Sequence, residues 1–319
     1  MLRFIQPHPT SPPVRADGVA RVSLSDLVDL NQAAAGLRFR HKGVRSAQGG
    51  NYLSSFKGRG MEFDETRPYT PGDDIRNLDW RVTARTGRTH TKLFREERER
   101  PVFIAVDGRA AMFFATRGVF KSVMAARLAA LVAWSAAYHG DRVGGQIFAE
   151  TGSRELKPEH GRRSVLRLLQ MLVDMEPAAR DSSRQDNSFD EALARLFRHA
   201  RPGSLVFVLS DFRHLTAAGE ASLTRLSRHC DLALGFISDA LERQFPESGR
   251  YRFADGEREL LLDTSPNLAA AHAGAFEQRR ENIRTLARQH RMRFIPCATT
   301  DDPLSVLRAT AAPVGSHRT

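Results

Sequence analysis

The chain has 319 residues, 41% of them apolar and 27% charged, and its 48 Lys and Arg outnumber 37 Asp and Glu to leave a formal charge of +11. That composition belongs to a globular protein of one large or two ordinary domains and excludes a disordered, collagenous or fibrous chain. Two cysteines, Cys230 and Cys297, exclude a disulfide framework and cannot make a zinc site alone, while the charge, +6 over the first hundred residues and +5 over the rest, permits an anionic partner without concentrating in a basic arm.

Residues 1–20 are Pro-rich and polar, which predicts a flexible N-terminal segment, and they lack the apolar core of a signal peptide. Residues 24–40 have amphipathic helical spacing, with Ser23 or Ser25 as cap. A glycine-rich loop follows over 42–60, then a stretch dense in charge, turn residues and aromatics over 61–82, then a weakly alternating strand, RTHTKLFR, at 88–95.

The pattern changes at Pro101. PVFIAVD is a short apolar run ending in Asp107, the mark of a strand covered on both faces. A helix with many alanines follows, carrying Phe120, Val123, Met124, Leu128, Leu131 and Val132 at helical spacing. Further on, a strand at 143–149, an edge strand near 154–157, and helices around 165–172 and 189–197 are expected. SLVFVLSD (204–211) again ends in Asp, and a helix over 215–228, a strand over 231–237, a hairpin over 250–263 turning at Asp255-Gly256, a long helix over 267–290 and a strand over 292–297 complete the order, with a short helix from Pro303. Strands alternating with helices predict a three-layer, mostly parallel α/β sheet, the 154–157 strand being the antiparallel exception. The domains expected are a segment 1–20, a smaller subdomain 21–100 and an α/β domain 101–312. The most apolar stretch, Met124 to Tyr138, contains Arg127 and is too short to span a bilayer, so a soluble, cytoplasmic protein is expected.

No P-loop, nucleophile elbow, H-E-x-x-H or paired C-x-x-C occurs. Asp107 and Asp211, each closing a buried strand, are expected at one rim of the sheet, where α/β folds place ligands. Two such carboxylates either hold Mg²⁺ with hydroxyls and water or cap the loops after their strands. The segment RGMEFDETRPYTPGDDIRNLDWR (59–81) sets Glu62, Asp73, Asp74 and Asp79 against Arg67, Arg76 and Arg81, with Trp80 as an apolar anchor. It reads either as a loop subdomain locked by ion pairs and buried aromatics, with Trp80 largely buried, or as a docking surface.

From Gly58 to Asp107 the sequence closely resembles the domain-of-unknown-function 58 family: an acidic-aromatic-Arg block, PGDD, R-x-x-D-W and a Lys-x-x-x-E-E strand lead into the first strand of a von Willebrand factor type A (vWA)-like domain. The resemblance implies a vWA/Rossmann-like sheet with a smaller N-terminal subdomain. It also implies a partner or adaptor role, without established catalysis, beside a MoxR-type AAA+ ATPase and other vWA proteins, in assembly, maturation or stress-related remodelling. vWA domains often hold a divalent ion through D-x-S-x-S, a Thr and a later Asp. Here the first motif reads Asp107-Gly108-Arg109-Ala110-Ala111, the Thr position falls at Asn187 or Ser188, and Asp211 fits the last. Both serines are lost, so the expectation is a degenerate, unmetallated site, with no cofactor, in which Arg109 supplies the cation. A nucleic-acid-binding protein and a metal-dependent hydrolase using Asp107 and Asp211 are the alternative readings.

Overall fold

The structure is a computed structural model that describes residues 18–39, 61–96, 101–176, 188–246, 248–254 and 259–311. The N-terminal segment up to residue 17, the loop over 42–60, Asn187 and the Asp255-Gly256 turn lie outside the described residues. The chain divides into two units, residues 45–99 and the remainder.

In chain order the elements are α1 (Leu24–Ala34), β1 (Met61–Pro68), α2 (Trp80–Thr86), β2 (His90–Glu96), β3 (Pro101–Asp107), α3 (Lys121–Tyr138), β4 (Arg142–Ala149), β5 (Gly152–Glu159), α4 (Arg162–Val173), α5 (Ser188–His199), β6 (Leu205–Ser210), α6 (Ala217–Ser227), β7 (Asp231–Ser238), α7 (Ala240–Arg243), β8 (Gly249–Ala254), β9 (Glu259–Thr264), α8 (Pro266–Gln289), β10 (Arg293–Ala298) and α9 (Pro303–Thr310). The sheet runs β10-β7-β6-β3-β4-β5, parallel throughout except for β5, which is antiparallel to β4. β8 and β9 form the expected antiparallel hairpin.

The apolar runs explain the layers. Along β3, Val102, Ile104 and Val106 enter one core with α1, α3 and α4, while Phe103 and Ala105 enter the other with α5, α6 and α8. A strand covered on both faces has no reason to alternate polar residues, which is why PVFIAVD and LVFVLS read as continuous apolar text. β4 and β6 lie on opposite sides of β3, so the strand order reverses between β3 and β6. Such a reversal opens the crevice at which open α/β sheets bind ligands.

α3 is buried around nearly its whole circumference. A helix apolar on all sides needs cover on all sides. α1 supplies the outer layer: Leu27, Ala34 and Leu37 are fully buried in the same core, Trp134 Nε1 donates to the Leu27 carbonyl at 3.0 Å, and Ser135 Oγ donates to that of Leu37 at 2.8 Å. The expected subdomain 21–100 is therefore corrected: α1 belongs to the sheet unit, and the smaller unit is 45–99. α1 also stops at Ala34 rather than residue 40, with Ser23 as its cap in a capping box.

The smaller unit is a two-stranded antiparallel sheet, β1 with β2, whose connection carries α2. Its first strand was hidden in the charge-dense text, since a two-stranded sheet leaves a face to solvent and tolerates charge there. Arg67 Nη2 donates to Asp73 at 2.7 Å, and Asp73 also accepts from the Thr70 N–H. Asp74 caps a short 3-10 turn at Ile75–Asn77. Asp79, buried, caps α2 by accepting from the Arg81 and Val82 N–H groups, and Gly87 ends that helix at φ +68°.

Trp80 is 69% exposed, which corrects the expectation of a buried anchor. Asp79 takes the inward position as the cap, and one short helix on two strands offers too little core to enclose an indole. Asp79→Ala should therefore destabilise this unit by about 1 kcal/mol, the usual cost of a lost N-cap. Trp80→Ala should change it by less than about 0.5 kcal/mol, as exposed substitutions do. Amide exchange over 61–96 measures both, and strong deprotection in Trp80→Ala would restore the buried reading.

Candidate functional site

The strand ends at the reversal bring Asp107 and Asp211 together as the sequence suggested, on adjacent β3 and β6. Both side chains are fully buried. The residues after β3 turn back so that Arg109 reaches its neighbour: its Nε donates to Asp107 Oδ1 at 3.0 Å and its Nη2 to Oδ2 at 2.7 Å, a bidentate pair. Asp107 also accepts from the Arg109 N–H at 3.0 Å and from Ser210 Oγ at 2.6 Å. The guanidinium is 2% exposed, lies 4.6 Å from the Phe189 ring centroid, and reaches to 3.9 Å from Asp211 Oδ1. Ala111 sits in a short 3-10 turn and brings no hydroxyl to the site.

Asp211 is served by a second cation. Lys121, first residue of α3 and wholly buried, donates to Asp211 Oδ2 and to Glu242 Oε1, each at 2.7 Å. Arg213 closes the cluster, its N–H donating to Asp211 at 3.0 Å and its Nη2 to Glu242 at 2.8 Å. Asp107, Asp211 and Glu242 thus meet Arg109, Lys121 and Arg213. Burial pushes the Asp211 carboxyl up, but the Lys121 charge and hydrogen bond, the Arg213 N–H and the Arg109 charge outweigh it and hold its pKa down at about 2.

The backbone is bent to make this possible. Phe212 and His214 hold φ of +54° and +60°, unusual for side chains of this bulk. The bend drives Phe212 into the core against Phe189 and Phe236 and leaves the flanking Asp211 and Arg213 at the rim. Glu242 is fixed by a capping box on α7, its Oε2 accepting from the Asp239 N–H at 3.2 Å. Asp239 in turn accepts from the Thr116 N–H at 2.9 Å and Thr299 Oγ1 at 2.9 Å.

A divalent ion, which the resemblance would place here, does not fit this donor set. Both oxygens of Asp107 accept from Arg109, Asp211 Oδ2 holds an ammonium, and the two serine positions are Arg109 and Ala111. Ser188 opens α5, and no group of three or more His, Cys, Asp or Glu side chains is disposed to hold a metal among the described residues.

Sequence reasoning missed Lys121, Ser210, Arg213 and Glu242. Signals existed: Lys121 is one of five lysines beside 43 arginines and heads a mostly apolar helix, Ser210 and Arg213 stand close to Asp211, and Asp239-x-x-Glu242 is a capping-box spacing. The signature candidates divide. Arg67, Asp73 and Asp79 hold the small unit together, whereas Asp74, Arg76, Trp80 and Arg81 are exposed beside an exposed Ile75. Glu62 lies on β1, its side chain outside the described residues.

Residues 65–293 match the family described as protein of unknown function DUF58. The uncharacterized proteins Rv1480 of Mycobacterium tuberculosis and Mb1516 of Mycobacterium bovis are each 29% identical over 232 residues, covering 70% of this chain and 72% of their own. Among solved structures, an aerotolerance-related membrane protein from Bacteroides fragilis with multiple mutations to serines aligns at 17% identity and TM-score 0.45, over 66% of this chain and 96% of that one. The conserved hypothetical protein BatB from Bacteroides thetaiotaomicron aligns at 14% identity and TM-score 0.41, over 66% and 94%.

Proposed function

The chain belongs to the DUF58 family, and from that premise we propose that it is a non-enzymatic, vWA-like docking module that partners a MoxR-type AAA+ ATPase, in the cytoplasm, during assembly or remodelling of other proteins. The observation that carries the reading is the filled rim. Where a related fold would offer a coordination site or a catalytic crevice, Arg109 and Lys121 occupy the carboxylates from within. Asp211, its pKa held down at about 2, is a poor candidate for a general acid, and both oxygens of Asp107 are taken up by Arg109. Burial pushes the Cys297 thiol up to about 12, away from nucleophilic use. Among the described residues no helix is long and apolar enough to cross a membrane.

The small unit offers a contact face, with Ile75 and Trp80 exposed beside Arg76 and Arg81, aromatic and Arg residues being the types enriched at interfaces. Co-expression with the MoxR-type ATPase of the same cell, followed by size-exclusion chromatography, tests the partnership. A stoichiometric complex weakened at least about tenfold by Trp80→Ala is expected, since aromatic anchors commonly carry 2 kcal/mol or more. Absence of a complex would sink the ATPase assignment. Calorimetry of the chain alone with Mg²⁺ or Mn²⁺ should show no saturable heat at submillimolar concentration; binding that vanishes in Asp211→Ala would overturn the metal-independent rim.

A further inference from the structure

We propose that the opposite edge of the sheet carries a binding pocket for a small organic anion, a phosphate or carboxylate on an apolar body. A cavity of about 420 Å³ opens between the start of β3, the start of β4, the end of β5, the last turn of α5 and the loop before β6. These are the amino-terminal ends of the parallel strands, so the cavity is separate from the Asp107–Asp211 rim. Its size falls within the range that encloses small ligands.

The local cause is the edge strand. The β4–β5 register shifts between Val143 and Gly145, and Gly144 lets β5 close in, since a Cβ there would stand 2.8 Å from Leu156 O and Pro158 N. Such a bulge bends the strand and re-aims its side chains. Phe103, Leu156 and Pro158 give the cavity an apolar wall.

Its charged lining is mostly cationic. Arg142, Lys157, Arg198 and Arg201 line it and make no ion pair among the described residues. The single carboxylate, Glu155, is engaged by His199 Nδ1 at 2.8 Å. Two donors are buried without a hydrogen-bond partner among the described residues: the hydroxyl of Ser204, a residue 1% exposed, and Nε of Arg142. An anionic group in the cavity would be met by the charges of Arg142, Lys157, Arg198 and Arg201, while the apolar wall takes the body of the ligand.

The test titrates the full chain by calorimetry with 1-naphthyl phosphate and 1-naphthoate, against inorganic phosphate and 1-naphthol. At least one aryl anion should bind about tenfold or more tighter than either separate half, and Arg142→Gln should weaken it about tenfold, as loss of one charged hydrogen bond does. Arg198→Gln with Arg201→Gln, both exposed, gives a second variant that should weaken binding at least about threefold should Arg142→Gln fail to fold. Inorganic phosphate binding as well as the aryl anions would reduce the site to surface charge. Naphthol binding as well would reduce it to an apolar hollow. Either result, unchanged affinity in the folded variants, or no saturable binding by about 10 mM overturns the proposal.

Discussion

Lys121→Met should lower the unfolding free energy by about 3–5 kcal/mol, the cost of removing one partner from a buried charge cluster. The ammonium touches Asp211 and Glu242 at 2.7 Å each, with all three groups nearly or wholly out of solvent. Glu242 keeps Arg213, but Asp211 keeps only an N–H at 3.0 Å, Arg213 Nε at 3.5 Å and Arg109 at 3.9 Å. Met matches the length of the stem, so the loss is of charge rather than volume. The pH dependence has a definite sign. In the native protein Asp211 has its pKa lowered from 3.8 to about 2, so its contribution is complete above 3.8 and is lost as pH falls through about 2. Without the ammonium its largest lowering cause is gone, and that pKa should rise. The variant is then penalised at neutral pH and relieved as pH falls through the raised value. Urea unfolding at pH 7 and pH 4 should show the gap between the two proteins narrowing in acid. Equal midpoints at pH 7, or a gap that widens in acid, would mean that Lys121 is not the cation holding Asp211.

Gly118→Ala should cost about 2–4 kcal/mol, from overpacking together with an unfavourable backbone conformation. Gly118 sits at φ +74°, and a Cβ would collide with the Thr299 carbonyl oxygen and stand 2.7 Å from the carbonyl carbon. Both obstacles are backbone, so no rotamer change relieves them. The neighbouring Val119 N–H donates to the same Thr299 carbonyl at 3.1 Å, which fixes the approach. Displacement would pull Thr116 from Asp239 and loosen the capping box that aims Glu242. Gly274→Ala, in α8 with nothing within 4 Å, is the control and should be neutral or stabilising. Thermal melting of the two variants decides it: matched midpoints would mean the 113–120 loop is free to move.

The sheet was legible because its strands carry their burial in their text. Both-face coverage makes apolar runs, and β3, β4, β6 and β7 fall within a residue or two of where those runs end. The rim was half legible. Two strands closing in Asp gave the carboxylates, and Arg109, two residues from Asp107, could be seen to reach back. Lys121 could not be paired from sequence, because its partners lie 90 and 121 residues away and only the strand order brings them near. Trp80 misled because residue type argues for burial, while its place at the first turn of a short helix in a small unit argues for exposure. α1 misled for the converse reason: its sequence shows one apolar stripe, but the need for that stripe arises on α3.

The smaller unit interrupts the sheet unit between α1 and β3. For α1 to return to α3, the chain must close a detour of the whole intervening segment, at an entropy that rises by about 0.6 kcal/mol for each doubling of length. In the folded insert, Met61 pairs with Glu96, so entry and exit are neighbours across a two-stranded ladder. Once that ladder forms, the detour is cut short. The Arg67–Asp73 pair and the Asp79 cap, which hold the connection of that ladder, would therefore bear on how readily the outermost helix docks, and a weakened hairpin should be felt as a slower burial of Trp134.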